Sequence, residues 1–129
     1  MGFRLKTSKQ TKEIFEELGS STNLKPFALS KIAIAFSLRE EEPIDFLEEK
    51  DGNGLELQRA TVTADLDTIY KALMEVHCGH HLSDDEYYPT HTKKHIDRGA
   101  QLLLHNYKYS GGNLEKLIKQ IFEKGDASL

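Results

Sequence analysis

His77, Cys78, His80 and His81 stand within five positions, in the stretch HCGHH, and His91 and His95 follow, four residues apart. Imidazole nitrogen and thiolate sulfur are the donors that hold zinc, usually as closely spaced pairs. His91 and His95 share one face of any helix that carries both, so they make one such pair. Cys78 with His81 would make the other. Three features weigh against a metal. Cys78 is the only thiol in the chain. The cluster reads as a helix end and a polar loop, where histidine is common for other reasons. No glutamate stands between His91 and His95, as a zinc hydrolase pattern needs. The expectation is a polar elbow with no native metal and no cofactor.

Other catalytic constellations are incomplete. There is no Gly-rich phosphate loop and no nucleophile elbow. Asp84 and Asp85 stand beside Glu86 and read as a solvated loop. His95 and Arg98, in HIDRG, have the chemistry of a proton donor and a phosphate clamp, but one His and one Arg on a helix are more often structural. No catalytic residue is expected.

Charge is segregated along the chain. The net charge is −4, made of +4 over residues 1–39, −11 over 40–91 and +3 over 92–129. The basic N-terminal third holds Arg4, Lys6, Lys9, Lys12, Lys25 and Lys31, and a local basic field attracts a polyanion whatever the total charge. FRLKT alternates apolar and basic, the period of a short strand. Thr7 begins TSKQ, a capping-box pattern for a first helix. Ile14, Phe15 and Leu18 form its stripe, and Gly19 is placed to end it.

Pro26 suits the first turn of a second helix, PFALSKIAIAFSL. That helix is apolar almost all round, so it is either central in the fold or packed against another chain. Self-association through it is expected. The acidic stretch 40–54 follows as a connector, broken by Pro43 and the DGNG turn. LELQRATV reads as a short strand or extended segment. Thr63 is placed to cap a third helix with Asp65 and Asp67 in its first turn. Leu66, Ile69, Tyr70, Leu73 and Met74 form its stripe and Gly79 its end. A fourth helix is expected from about Pro89 to His105, burying Ile96, Ala100 and Leu103. A fifth is expected after Asn113, with Leu114, Leu117, Ile118 and Ile121 as its stripe and Gly125 at its close.

The fold class is mainly α: one small domain of 129 residues with a ribbon-helix-helix-like N-terminal half and about five helices. A chain this long buries roughly two-thirds of its unfolded surface without staples. The single cysteine fits a reducing, cytoplasmic setting, and no apolar run is long enough for a membrane. Strand, helix, Gly-containing turn and apolar helix, in that order, match modules whose ribbon enters a DNA groove with polar residues outward. Arg4, Lys6, Lys9, Lys12, Lys25 and Lys31 are the candidate DNA contacts.

Three blocks together resemble the DndE family: FRLKTSKQTKEIFEELGSSTNLKPFALSKIAIAFSL, then LQRATVTADLDTIYKALM, then HIDRGAQLL. Residues His95 to Gly99, H-x-x-R-G, add most of the specificity, and the likeness covers roughly residues 3–122. The resemblance implies a non-catalytic, oligomeric subunit, a tetramer being one candidate, of the bacterial DNA phosphorothioation (sulfur modification) system. It implies binding to duplex DNA, with a preference for nicked duplex. It also implies partners: a cysteine desulfurase, a PAPS-reductase-like iron–sulfur protein and an ATPase. Two alternatives fit the residues less well. One is a ribbon-helix-helix transcription regulator. The other is a metal-dependent DNA-nicking enzyme using His91, His95 and Asp97.

Overall fold

A computed structural model describes residues 3–113 and Lys116. Strand β1 (Arg4–Lys6) turns Leu5 into the core and leaves Arg4 and Lys6 outside. Its partner is β2 (Glu56–Gln58), antiparallel, with Arg4 opposite Gln58, Leu5 opposite Leu57 and Lys6 opposite Glu56. The strand–helix–helix order is therefore present, but the ribbon closes within one chain. LELQ supplies the second alternating segment, and Leu57 enters the same core as Leu5.

Helix α1 (Lys9–Thr22) is capped by Ser8, whose hydroxyl accepts from Thr11 N, one residue later than the pattern at Thr7 predicts. Thr7 is already committed to the loop before β2. Its N–H donates to Leu55 O, and its hydroxyl accepts from Leu55 N. The helix also runs past Leu18. Asn23, not Gly19, takes the left-handed conformation that ends it, with φ 63°. A short polar side chain makes that conformation accessible to asparagine.

Helix α2 (Pro26–Leu38) begins with Pro26 as expected. Pro43 follows, and Ile44–Phe46 forms a 3-10 turn with Ile44 buried. After β2 comes a single turn, α3 (Arg59–Val62), then a 3-10 turn at Ala64–Leu66 and helix α4 (Asp67–Cys78). Thr63 does not cap α4. Its hydroxyl bonds Arg59 O and Asp67 Oδ1, and the Asp67 carboxylate also accepts from Arg59 and from the Tyr87 hydroxyl. Burial works against ionising Asp67, yet these hydrogen bonds outweigh it and hold its carboxyl below the usual range. Gly79 ends α4 with φ 84°, as the pattern predicts.

A one-turn helix, α5 (Asp84–Glu86), carries a Ser83–Glu86 capping box. It runs through a π-helical turn, Tyr87–Thr92, into α6 (Lys93–Tyr109). The start expected near Pro89 falls inside that π turn. Proline has no N–H for the carbonyl one turn back, so the ladder is interrupted there. The fifth helix expected after Asn113, with Leu114, Leu117, Ile118 and Ile121, lies outside the described residues. Within them, Asn113 Oδ1 accepts from Lys116 N at 3.1 Å, the bond an N-cap makes.

The core forms where α2 lies along α6. Leu29, Ala33, Ile34 and Phe36 meet Ile96, Ala100 and Leu103, all buried. The second helix is thus central in the fold, and its inner face is covered by its own chain without a partner. The apolar face left open belongs to α4 and the turn before it. Leu66, Ile69, Leu73 and Val76 are 48 % to 82 % exposed, and of the predicted stripe only Met74 is buried. Periodicity identified an amphipathic helix correctly but did not say which side the core would take.

The α2–α6 crossing rests on Gly99. A Cβ at Gly99 would stand 1.7 Å from Ala33 O and 2.3 Å from Ala33 C, inside backbone that cannot move alone. Gly99→Ala is expected to destabilise the fold by about 3 kcal/mol, the upper range for overpacking. Gly52→Ala meets only ordinary contact with Lys6 Cβ at 3.7 Å and should change stability by less than about 0.5 kcal/mol. Chemical denaturation of both variants checks the contrast.

Candidate functional site

The basic residues singled out from sequence are placed on the surface. Arg4 and Lys6 share the outer face of β1. Lys9, Lys12 and Lys25 are exposed, and Lys31 is half-buried with its Nζ 5.6 Å from the Phe27 ring centre. Arg4 lies 3.4 Å from Glu56, with both side chains largely in solvent, so the pair holds Arg4 weakly. Fourteen helical residues separate the start of α1 from its end, a rise of about 21 Å. Lys9 and Lys12 therefore stand at one end of α1 and Lys25 follows the other. These residues are spread over β1 and both ends of α1, and the exposed Glu13, Glu16 and Glu17 stand on α1 between Lys12 and Lys25.

The acidic connector folds back onto the start of α1. The Asp51 carboxylate accepts from Lys9 N at 2.9 Å and from Asn53 N at 3.1 Å, while Asp51 O accepts from Lys93 Nζ at 2.7 Å. The Lys9 hydrogen bond leads the effects that lower the Asp51 pKa. An acid placed at a helix N-terminus satisfies an orphan amide and the helix dipole together.

The H-x-x-R-G block is a set of anchors. Arg98 donates from Nε to Ser37 Oγ, from one terminal nitrogen to Ser37 O and from the other to Glu42 O, at 2.7–2.8 Å. It closes the C-terminal end of α2. The Ser37 hydroxyl proton is then available to His95 Nδ1, 2.8 Å away, which assigns the imidazole proton to Nε2. His95 is fully buried, and Nε2 has no hydrogen-bond partner among the described residues. Burial, reinforced by the charge of Arg98, pushes its pKa down to about 3. Asp97 faces α1 instead. It accepts from Ser8 N at 3.1 Å and Thr11 Oγ1 at 2.6 Å, and meets Lys93 Nζ at 3.1 Å.

Neither metal pair read from spacing forms. His91 Nε2 meets Asp45 Oδ1 at 2.9 Å, whereas His95 meets Ser37. His81 meets Glu75 at 2.7 Å, away from Cys78. His77 Nε2 meets Glu40 O at 2.6 Å. His91, His95 and Asp97, the trio of the nicking alternative, each take a different partner. Folding supplies a residue that spacing could not, Asp45 of the connector. Its second oxygen meets His80 Nε2 at 2.8 Å, and donor atoms of Asp45, Cys78 and His80 all lie within 4.8 Å of one another. A groove of about 500 Å³ between the connector and α6 has acidic and basic walls together, Glu48 and Glu49 against Lys94 and Arg98. It therefore has no single-sign cradle for phosphate.

A family model described as DNA sulphur modification protein DndE matches residues 4–110. The chain belongs to the DndE family. The H-x-x-R-G block, His95 to Gly99, lies within the matched residues. The structure is similar to the crystal structure of DndE from Escherichia coli B7A, involved in DNA phosphorothioation modification. The TM-score is 0.62 and the identity 19 %, over 78 % of this chain and 93 % of that one. It is also similar to a glycine-to-lysine double mutant of DndE involved in DNA phosphorothioation. There the TM-score is 0.62 and the identity 17 %, over 81 % of this chain and 99 % of that one. At such identities the likeness carries the fold. None of the curated proteins compared with the chain matches it. Membership places the chain in DNA phosphorothioation. Among the described residues no helix is long and apolar enough to cross a membrane.

Buried histidine makes the fold acid-sensitive. In the unfolded chain His95 titrates near its ordinary 6.5, and in the folded chain near 3. Its contribution to stability is complete above pH 6.5 and is lost as pH falls toward 3, with a slope of up to about 1.4 kcal/mol per pH unit. His91, also lowered by burial, acts in the same direction. Denaturation midpoints between pH 7 and pH 4.5 should fall for the native chain, and fall less for His95→Gln.

Proposed function

We propose that this chain is a non-catalytic DNA-binding subunit of the phosphorothioation machinery. It holds duplex DNA, nicked duplex by preference, for partners that carry the sulfur chemistry: a cysteine desulfurase, a PAPS-reductase-like iron–sulfur protein and an ATPase. The observation that supports this most is the division of labour among its polar residues. His95, Asp97 and Arg98, the side chains with catalytic potential, are spent on anchoring helices. Arg4, Lys6, Lys9, Lys12 and Lys25 face solvent. Exposed basic side chains suit contacts to a charged phosphate backbone, and binding then draws on counterion release. Arg4 and Lys6, outward on an intramolecular ribbon, are proposed phosphate contacts and not base readers.

The subunit is also proposed to self-associate. Leu66, Ile69, Leu73 and Val76 follow helical spacing along one open face, and a second copy of the chain is the occupant proposed for it. Light scattering should give an oligomer for the native chain and a smaller species for Leu73→Glu. A monomeric native chain would remove this part of the reading.

DNA binding is tested with nicked and intact duplexes of two unrelated sequences across a salt series. Log affinity should fall linearly with log salt, with a slope of about −0.9 per phosphate contact. Reversing Arg4 and Lys6 to Glu should weaken binding to every sequence alike and flatten the slope. Loss confined to one sequence, by about 1–3 kcal/mol, would point to base readout by a regulator. Unchanged affinity would take both residues out of the interface.

A further inference from the structure

We propose that Asp45, Cys78 and His80 form a binding site for a zinc-type divalent metal ion, with His91 positioning the carboxylate. The site is independent of the DNA-binding reading. It joins the 3-10 turn of the acidic connector to the end of α4 and the residue just beyond Gly79, segments also held together by buried Ile44 and by His77 Nε2 on Glu40 O. The donor set decides the class of ion. Carboxylate, thiolate and imidazole together suit zinc and its close relatives, while magnesium and calcium take oxygen alone.

The hydrogen bonding around the donors is the kind that orients metal ligands. His80 Nδ1 lies 3.0 Å from His81 O. A carbonyl only accepts, so Nδ1 carries a proton and donates it. In the neutral ring this leaves a bare lone pair on Nε2, and that nitrogen faces Asp45 Oδ2 at 2.8 Å. Two acceptors at that separation need a positive charge between them, a second proton or a metal. A ligating histidine commonly donates its far N–H to a carbonyl in this way. The Cys78 sulfur completes the group within 4.8 Å, and its contacts to Glu75 O at 3.6 Å and His80 O at 3.4 Å are long, weak thiol bonds.

His91 provides the second, independent observation. Its side chain is 7 % exposed and its Nε2 reaches the other Asp45 oxygen at 2.9 Å. Its Nδ1 has no hydrogen-bond partner among the described residues. A buried neutral imidazole with one free nitrogen has its only hydrogen bond through Nε2–H to Asp45. That bond fixes the carboxylate and leaves Oδ2 directed at His80. The proposal differs from the expectation of a metal-free elbow because the carboxylate comes from a distant part of the chain. Spacing within HCGHH offered His81 in its place, and His81 is turned toward Glu75.

The test uses the full-length chain without a histidine tag. Titration with zinc should show one equivalent bound per chain, and stoichiometric zinc, but not magnesium, should protect Cys78 from alkylation. Cobalt(II) in place of zinc should give thiolate-to-metal charge-transfer absorption, absent in Cys78→Ser. Asp45→Asn should weaken zinc binding at least tenfold, and His91→Ala by about 10–100-fold, the usual effect of losing an outer-shell partner. His81→Ala should bind as the native chain does. Circular dichroism checks that the variants fold, and the alkylation experiment needs no variant. Absence of both the charge-transfer band and zinc protection would overturn the site and leave a proton between His80 and Asp45. Binding unaffected by Asp45→Asn and Cys78→Ser would also overturn it, as adventitious capture by surface imidazoles.

Discussion

The backbone of α6 at Gly99 touches the backbone of α2 at Ala33, and most of the molecule is arranged around that contact. No side chain can stand between the two helices there. Close approach brings Ile34, Phe36, Ile96 and Leu103 into one core. It also brings polar groups on neighbouring positions of α6 within bonding distance of two other elements. Arg98 and His95 reach Ser37 at the end of α2, while Asp97 reaches Ser8 and Thr11 at the start of α1. Four successive kinds of constraint thus come from one turn of helix: no side chain, a cation, an acid and a buried imidazole. Each is costly to bury alone and acceptable because its partner is fixed by the same crossing.

The basic surface is held by the same turn. Asp97 binds the amide of Ser8, the cap of α1, and β1 leads into that cap through Thr7 alone. The orientation of β1 is set further by Leu5, which enters the core opposite Leu57. Arg4 and Lys6 must then face out. The proposed DNA contact would gain from such rigidity, because only the long basic side chains, and not the backbone, would have to be ordered on binding.

How much of this was legible in the sequence depended on the range of the interaction. Pro26, Gly79 and the Ile96–Ala100–Leu103 stripe act through local geometry, and the structure uses all of them as expected. The cap at Thr7 was misplaced by one residue because Thr7 is claimed by Leu55, a contact no local pattern records. The stripe on α4 was read with the correct period, but its burial depends on what lies beside it. Only Met74 lies in the core. The histidines divide in the same way. Spacing paired His91 with His95, yet one meets a connector carboxylate and the other a serine on α2. Asp45 carried no signal of its own among the acids of the connector. The turn that organises the core, His95 to Gly99, also carries the H-x-x-R-G block of the family resemblance.

The central acidic segment is −11 by formal count, and its acids are not all free in solvent. Several of its acids are met where they stand. Asp51 accepts the Lys9 amide at the positive end of α1 and the Asn53 amide beside it. Asp67 accepts from Arg59 and two hydroxyls. Glu75 accepts Leu82 N and meets His81, and Glu86 accepts Ser83 N within its capping box. Asp45 stands between two imidazoles. The neutral donors fix these carboxylates without cancelling their charge, and among these acids Asp67 meets a full counter-charge, on Arg59. In the proposed reading, a chain of net negative charge would meet a polyanion through the exposed basic residues of β1 and α1, at a distance from these fixed acids.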